Sequence, residues 1–203
     1  MPLIKYNNQS LSSITALPAA IPTGKLKLIS SQTASNSASI SFTTGLNSTY
    51  KVYKFVFVNI HPRTDDVIFQ FNLSTDSGSN YNVTKTTTFF ASRHSEDDVT
   101  ADLAYKAGDD LAQSTGYQFL DNNGLGNGAD ESNSGSMTLF NPASTTYVKH
   151  FIATTNHYQS QNGSYNNFIA GYANTTSAVN AINFKMSSGN MDGTIYLYAI
   201  DNS

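Results

Sequence analysis

Several short segments of the chain alternate apolar and polar residues. Such alternation, bounded by turn-forming residues, is typical of β-strands that bury one face. The segments are residues 38–42, 67–73, 136–140, 146–153, 182–186 and 193–200. In residues 182–186, for example, Ile182, Phe184 and Met186 fall on one face. We therefore predict an all-β fold, with the last segment as the closing strand.

Two segments in the first half of the chain carry further information. Residues 52–60 form an almost continuous apolar run that stops at Pro62, and such a run predicts a strand covered on both faces. Residues 67–73 predict a strand with one apolar and one polar face. The apolar face holds Val67, Phe69, Phe71 and Leu73. Many short strands separated by Gly, Asn and Ser clusters predict a single β-sandwich over residues 25–203, with jelly-roll-like winding.

Two other segments depart from the strand pattern. Residues 97–113 predict at most two helical turns, because Gly108 interrupts the segment. Residues 1–24 contain Pro18 and Pro22 and show no strand periodicity. We predict that they form an extended N-terminal arm that binds its own domain or another subunit; the alternative is a loosely tethered tail. The residues predicted to make this contact are Leu11, Ile14, Leu17 and Ile21.

The charge content limits the classes of partner. The 203 residues include 12% charged residues, about half the usual share for a globular protein. The 11 basic residues are scattered and the net charge is −3, which argues against nucleic acid as the main partner. No segment has the length of a membrane helix or the form of a signal peptide, so we expect no membrane partner. A neutral, hydrogen-bonding surface suits contacts with neighbouring subunits or with sugars.

Catalytic and metal-binding patterns are weak. The chain has no cysteine, which excludes thiol chemistry and thiolate metal sites. Residues 121–132 are similar to a calcium loop, but Leu125 and Ser132 occupy two ligand positions, so a mobile Gly/Asn surface loop is the preferred interpretation. An irregular calcium site remains an alternative. Its ligands would be Asp121, Asp130 or Glu131.

The acidic residues between positions 96 and 110 provide carboxylates for glycoside hydrolysis only if two of them face each other across a cleft. A solvated polar loop is the simpler interpretation. The four histidines lack metal-ligand spacing, and no nucleophile or phosphate-binding motif is present. We therefore predict no enzymatic activity, no catalytic residues, no metal and no cofactor.

One segment favours molecular recognition. In residues 157–176 aromatic residues are interleaved with amide and hydroxyl side chains and almost no charge. This mixture suits protein interfaces and sugar rings alike. The alternative is a hairpin whose aromatic side chains pack on the sandwich. The candidate interface or glycan-binding residues are Tyr158, Tyr165, Asn167 and Tyr172.

Three parts of the chain carry a family resemblance: residues 20–24 with 31–35, residues 57–65 with 80–90, and residues 139–142 with 182–190 and the closing strand. They resemble particle proteins of tailed phages, especially marine ones. It implies a structural protein on the virion surface that is made in the host cytoplasm. It supplies no catalytic motif, and it does not indicate the head or the tail.

Two roles on a particle fit these features. In the first, the protein is a capsid decoration or cement protein: the arm lies across the major capsid protein and the sandwich projects outward as a homotrimer. In the second, it is a tail or fibre adhesin that binds a host glycan. The absence of a long repetitive shaft and the presence of the arm favour the first role. A free lectin or a glycan hydrolase is the third hypothesis.

Overall fold

A computed structural model describes residues 26–200 of the chain. Over this range the protein consists of β-strands and connecting loops, which confirms the predicted all-β fold. Residues 26–200 include no helix with the length and hydrophobicity needed to cross a membrane. The strands are β1 (Leu26–Ser37), β2 (Ile40–Phe42), β3 (Val52–Pro62), β4 (Phe69–Ser74), β5 (Lys85–Ser95), β6 (Ala101–Tyr105), β7 (Gln118–Phe119), β8 (Asn133–Phe140), β9 (Lys149–Gln159), β10 (Gly163–Ala173), β11 (Ala181–Met186) and β12 (Met191–Ile200).

The strands form two antiparallel sheets. The first has eight strands in the order β1-β12-β3-β8-β9-β10-β5-β6, and the second has four in the order β2-β11-β4-β7. Apolar side chains from both sheets meet in one core, as in a β-sandwich. The predicted N-terminal arm, including Leu11, Ile14, Leu17 and Ile21, lies outside the described residues.

Four strand pairs are nested in sequence. Strand β1 pairs with β12, β2 with β11, β3 with β8, and β4 with β7. The remaining strands, β9, β10, β5 and β6, extend the larger sheet beyond β8. Nested pairs of this kind arise when a long two-stranded ribbon winds around a core, which is the path of a jelly roll. The jelly-roll winding stays a prediction, and the nesting supports it.

Phenylalanine rings occupy the centre of the core. Phe184 on β11 lies between the two sheets, with its ring centroid 5.3 Å from both Phe55 and Phe57 on β3. It also contacts Phe69 and Phe71 on β4. The faces predicted from alternation in residues 67–73 and 182–186 are the faces that the core buries. The polar side chains of Gln70, Asn72 and Asn183 on the opposite faces are buried as well, so the period-two rule gives side-chain direction in these strands but not exposure.

Two local predictions differ from the structure. Strand β3 buries only one face within the described residues; Val52 and Val56 are half-buried on the other face and Val58 is exposed. Residues 97–113 form no helix but contain β6, which pairs with β5. The side chain of Asp97 accepts a hydrogen bond from the Val99 backbone N–H at 3.1 Å, which stabilises a turn where the sequence predicted helix.

Candidate binding surface

The eight-stranded sheet has a second face that points away from the four-stranded sheet. We call the part of it formed by β9, β10, β5 and β6 the outer face. Its side chains alternate with buried ones along each long strand, and the strands are paired in continuous register. The outer face consists of His150, Ile152, Thr154, Asn156 and Tyr158; Ser164, Asn166, Phe168, Ala170 and Tyr172; Thr86, Thr88, Phe90, Ser92 and His94; and Leu103 and Tyr105.

A row of aromatic side chains crosses the middle of the outer face. Phe168 lies opposite Phe90, and their rings stack with centroids 4.9 Å apart and planes 12° apart. Phe90 in turn lies opposite Tyr105 on the edge strand β6. Phe90 and Tyr105 remain 40% and 55% exposed, so this row presents apolar surface to solvent. Exposed apolar patches of this kind mark interaction sites.

An apolar depression of about 470 Å³ lies at one end of the outer face. Its walls include His150, Ile152 and Tyr172, with the small side chain of Ala170 between them. A Cβ atom at Gly171 would lie 2.6 Å from the carbonyl oxygen of Thr86 and 3.0 Å from the buried Phe151 ring, so a larger residue does not fit beneath the depression. The rings of His150 and Tyr172 lie 6.1 Å apart. The depression has room for an apolar side chain of a partner.

A polar groove of about 440 Å³ lies at the opposite end, beside the β5–β6 and β9–β10 turns. Tyr158 lines it, and the neighbouring Glu96 carboxylate raises the pKa of the tyrosine hydroxyl. The Glu96 backbone N–H donates to the Asn162 carbonyl at 3.0 Å and joins the two turns. The groove is lined by His94, Ser95, Glu96, Asn156, His157, Tyr158, Gly163 and Ser164.

Carboxylates dominate the charge near this groove. Hydrogen bonds from the Ser95 hydroxyl and the Val99 N–H lower the pKa of Asp97, so this side chain is ionised at neutral pH. Arg93 does not fully offset the negative charge of Asp97, because its guanidinium is paired with Asp102 at 3.0 Å. Glu96 lines the groove, and the Asp130 and Glu131 carboxylates are close enough to Tyr158 to raise its pKa further.

The four candidate recognition residues do not form one surface. Tyr158 and Tyr172 lie on the outer face, whereas Tyr165 and Asn167 point to the inner face and are buried. The Asn123 amide donates a hydrogen bond to the Tyr165 hydroxyl at 3.2 Å. Period-two alternation along β10 separates Tyr165 and Asn167 from Tyr172 and assigns them to the interior.

The buried residues form a polar cluster behind the outer face. The Asn167 amide donates to Nδ1 of His157 at 3.1 Å, and burial lowers the pKa of His157 to about 4. The backbone N–H of Phe69 and the amide of Asn133 donate to the carboxyl group of Asp121. Burial nevertheless raises the pKa of Asp121 to about 8. This cluster is internal and supports the sheet.

The calcium-loop residues are directed to different places. Asp121 is buried in the polar cluster, while the Glu131 side chain accepts a hydrogen bond from the Gly128 backbone N–H and Asp130 is exposed. Residues 26–200 contain no group of three or more His, Cys, Asp or Glu residues arranged for a metal ion. Leu125 is fully buried and its N–H donates to the Val67 carbonyl at 2.8 Å, so the middle of the loop is anchored to the core, whereas residues 127, 129 and 130 lie on the surface as the sequence predicted.

The acidic residues between positions 96 and 110 have separate partners. Asp98 contacts the His94 ring at 2.9 Å, Asp102 pairs with Arg93, and Asp110 accepts a hydrogen bond from Tyr105.

Glu96 and Asn156 line the groove with Tyr158, and the sequence did not indicate this association. Only the register of β5, β9 and β10 reveals it, because Glu96 is distant along the chain from Asn156 and Tyr158.

No family model, no curated protein and no solved structure matches this chain.

Proposed function

We propose that the protein is a structural component of a tailed-phage particle, and that it docks on the capsid as a decoration or cement protein. The observation that carries this proposal is the outer face, a broad sheet surface with exposed apolar side chains and almost no charge. Burial of apolar area contributes roughly 25 cal/mol per Å² to association. The exposed Ile152 beside the depression and the aromatic row provide such area.

The strand pairing supports the same assignment. Nested pairs β1–β12, β2–β11, β3–β8 and β4–β7 fit a jelly roll, and jelly rolls build viral capsid proteins as well as lectins. A fold hosts many functions, so the winding supports the proposal without deciding it. In this proposal the domain is not an enzyme, it assembles as a homotrimer at the particle surface, and residues 1–24 lie across neighbouring capsid subunits.

Copy number in purified particles tests the location. We expect on the order of hundreds of copies per particle, because decoration follows the repeated symmetry of the capsid lattice. Quantitative mass spectrometry against the major capsid protein measures this ratio. A count between about three and a few dozen would instead place the protein on the tail or at a unique vertex. Absence from particles would refute both roles.

Deleting residues 1–24 tests the anchoring role of the arm. We expect the truncated protein to keep its unfolding midpoint, because the core lies within residues 34–199. We expect it to lose co-sedimentation with particles that lack the native protein. Serine substitutions at Leu11, Ile14, Leu17 and Ile21 should have the same effect. Alanine substitutions at the neighbouring Ser12, Ser13, Thr15 and Thr23 serve as the matched control and should leave attachment intact. Normal attachment of the truncated protein would refute the anchoring role.

The second candidate is a tail or fibre adhesin. The polar groove favours it, because Tyr158 is grouped there with hydrogen-bonding side chains on an accessible surface. A low copy number would support this role over decoration. The groove itself can be tested independently of the location of the protein on the particle.

A further inference from the structure

The groove beside Tyr158 combines an aromatic side chain with fixed hydrogen-bonding groups. The Asn156 amide donates to the Ser164 hydroxyl at 3.1 Å and to the Tyr165 carbonyl at 3.0 Å. These bonds fix the amide and keep its oxygen as an acceptor. Tyr158 is half-buried, so part of its ring is covered and part borders the groove. Small-molecule sites share this arrangement of an apolar wall with a few placed polar groups.

Two backbone hydrogen bonds order one side of the groove and connect it to the other. The Glu96 N–H donates to the Asn162 carbonyl at 3.0 Å, and the Ser95 N–H donates to the Thr100 carbonyl at 2.9 Å. The first bond ties the β5–β6 turn to the β9–β10 turn, and the second closes the β5–β6 turn. A site that is already ordered loses little conformational entropy when a ligand binds. A rigid polar groove therefore favours binding of a small polar ligand.

The local charge selects the class of ligand. Glu96, Asp130 and Glu131 place negative charge beside Tyr158 and repel anionic sugars, whereas a carboxylate accepts strong hydrogen bonds from neutral hydroxyl groups. We propose that this groove binds a neutral glycan composed of hexose or N-acetylhexosamine units. Tyr158 packs against a sugar ring, and Glu96 and Asn156 accept hydrogen bonds from its hydroxyl groups.

Glycan binding in the groove goes beyond the docking role proposed above and uses different residues. The groove and the apolar depression share no lining residue. Ser164 and Tyr172 mark the two sites on β10, and eight residues of strand separate them by about 27 Å. Docking through the depression and glycan binding are therefore separable activities of one surface.

A glycan array with the isolated full-length protein tests the inference. The array carries neutral oligosaccharides of hexose and N-acetylhexosamine beside matched sialylated and sulfated forms. We expect binding to neutral members and at least about tenfold weaker binding to the matched anionic members. The affinity for the best neutral oligosaccharide is then measured by titration calorimetry. Absence of neutral binding, or a preference for anionic members, would overturn the proposal.

Variants of the groove identify the site. We expect Tyr158→Ala to weaken binding at least about tenfold, Tyr158→Phe to weaken it less because the ring remains, and Glu96→Gln to weaken it measurably. Tyr147→Ala is the matched control, because Tyr147 is 69% exposed and lies outside the groove. Unchanged binding by Tyr158→Ala, with an unchanged unfolding midpoint, would place the ligand elsewhere and refute this site. Particle attachment is measured separately, so failure of glycan binding leaves the docking role intact.

Discussion

Replacement of Phe184 with alanine is expected to lower the free energy of unfolding by about 3–5 kcal/mol. The ring is fully buried, and its neighbours come from both sheets. Phe55 and Phe57 approach from the eight-stranded sheet, and Phe42 and Phe69 approach from the four-stranded sheet. Because these rings are held by their own strands, the cavity left by the truncation can close only if the sheets shift. The loss should therefore lie in the upper range for such substitutions.

Urea unfolding at neutral pH measures this loss. The matched control is Phe168→Ala, which removes the same side chain from the outer face, where the ring is half-buried and stacks on Phe90. We expect about 1 kcal/mol there, which corresponds to the stacking contact and partial burial. Equal losses for the two variants would contradict the central position of Phe184 between the sheets.

The alternation that locates Phe184 also shows which parts of the fold the sequence can predict. In residues 67–73 and 182–186 one face of each strand enters the apolar core, and both of these apolar faces were predicted correctly, although the polar residues Gln70, Asn72 and Asn183 on the opposite faces are buried as well. The predicted strand at residues 146–153 overlaps the first part of β9, which begins at Lys149 and continues to Gln159. The continuation was missed because its inner face carries Thr155 and His157, and buried polar residues look like exposed ones in a sequence pattern.

Buried polar residues also limited the prediction of the candidate binding surface from the sequence. Tyr165 and Asn167 were grouped with Tyr158 and Tyr172 by composition, although the parity of positions along β10 places Tyr165 and Asn167 inside. Parity could have separated Tyr165 from Tyr172 once the strand was recognised. The association of Glu96 with Tyr158 depends on the pairing of β10 with both β5 and β9, and pairing between distant strands leaves no local signal.

Replacement of Asp121 with asparagine is expected to make the protein more stable than the wild type at pH 8, and to have much less effect at pH 5. Burial raises the pKa of Asp121 to about 8, well above its ordinary value of 3.8. Between these two values the folded protein keeps a proton that the unfolded chain releases. The wild type therefore loses free energy of unfolding as the pH rises, and the loss is complete near the folded pKa.

The size of the effect follows from the pH interval between the ordinary pKa of 3.8 and the pKa of about 8 in the folded protein. Each pH unit within it contributes at most about 1.4 kcal/mol, so the difference between pH 5 and pH 8 has an upper limit of about 4 kcal/mol. The hydrogen bonds from the Phe69 N–H and the Asn133 amide favour the ionised carboxylate and keep the pKa of Asp121 from rising further. The Asn133 side-chain oxygen has no hydrogen-bond partner among residues 26–200. A rotation of its amide lets that oxygen accept a hydrogen bond from the new amide at position 121.

Urea unfolding at pH 5, 6.5 and 8 provides the measurement. Other buried groups also titrate: burial lowers the pKa of His157 to about 4 and that of Lys85 to about 7. Wild type and variant share these groups, so the difference between the two proteins isolates Asp121. Asp130→Asn, which changes an exposed carboxylate of the same loop, should follow the wild type at every pH. A difference between Asp121→Asn and the wild type that stays constant from pH 5 to pH 8 would show that Asp121 is ionised throughout in the folded protein.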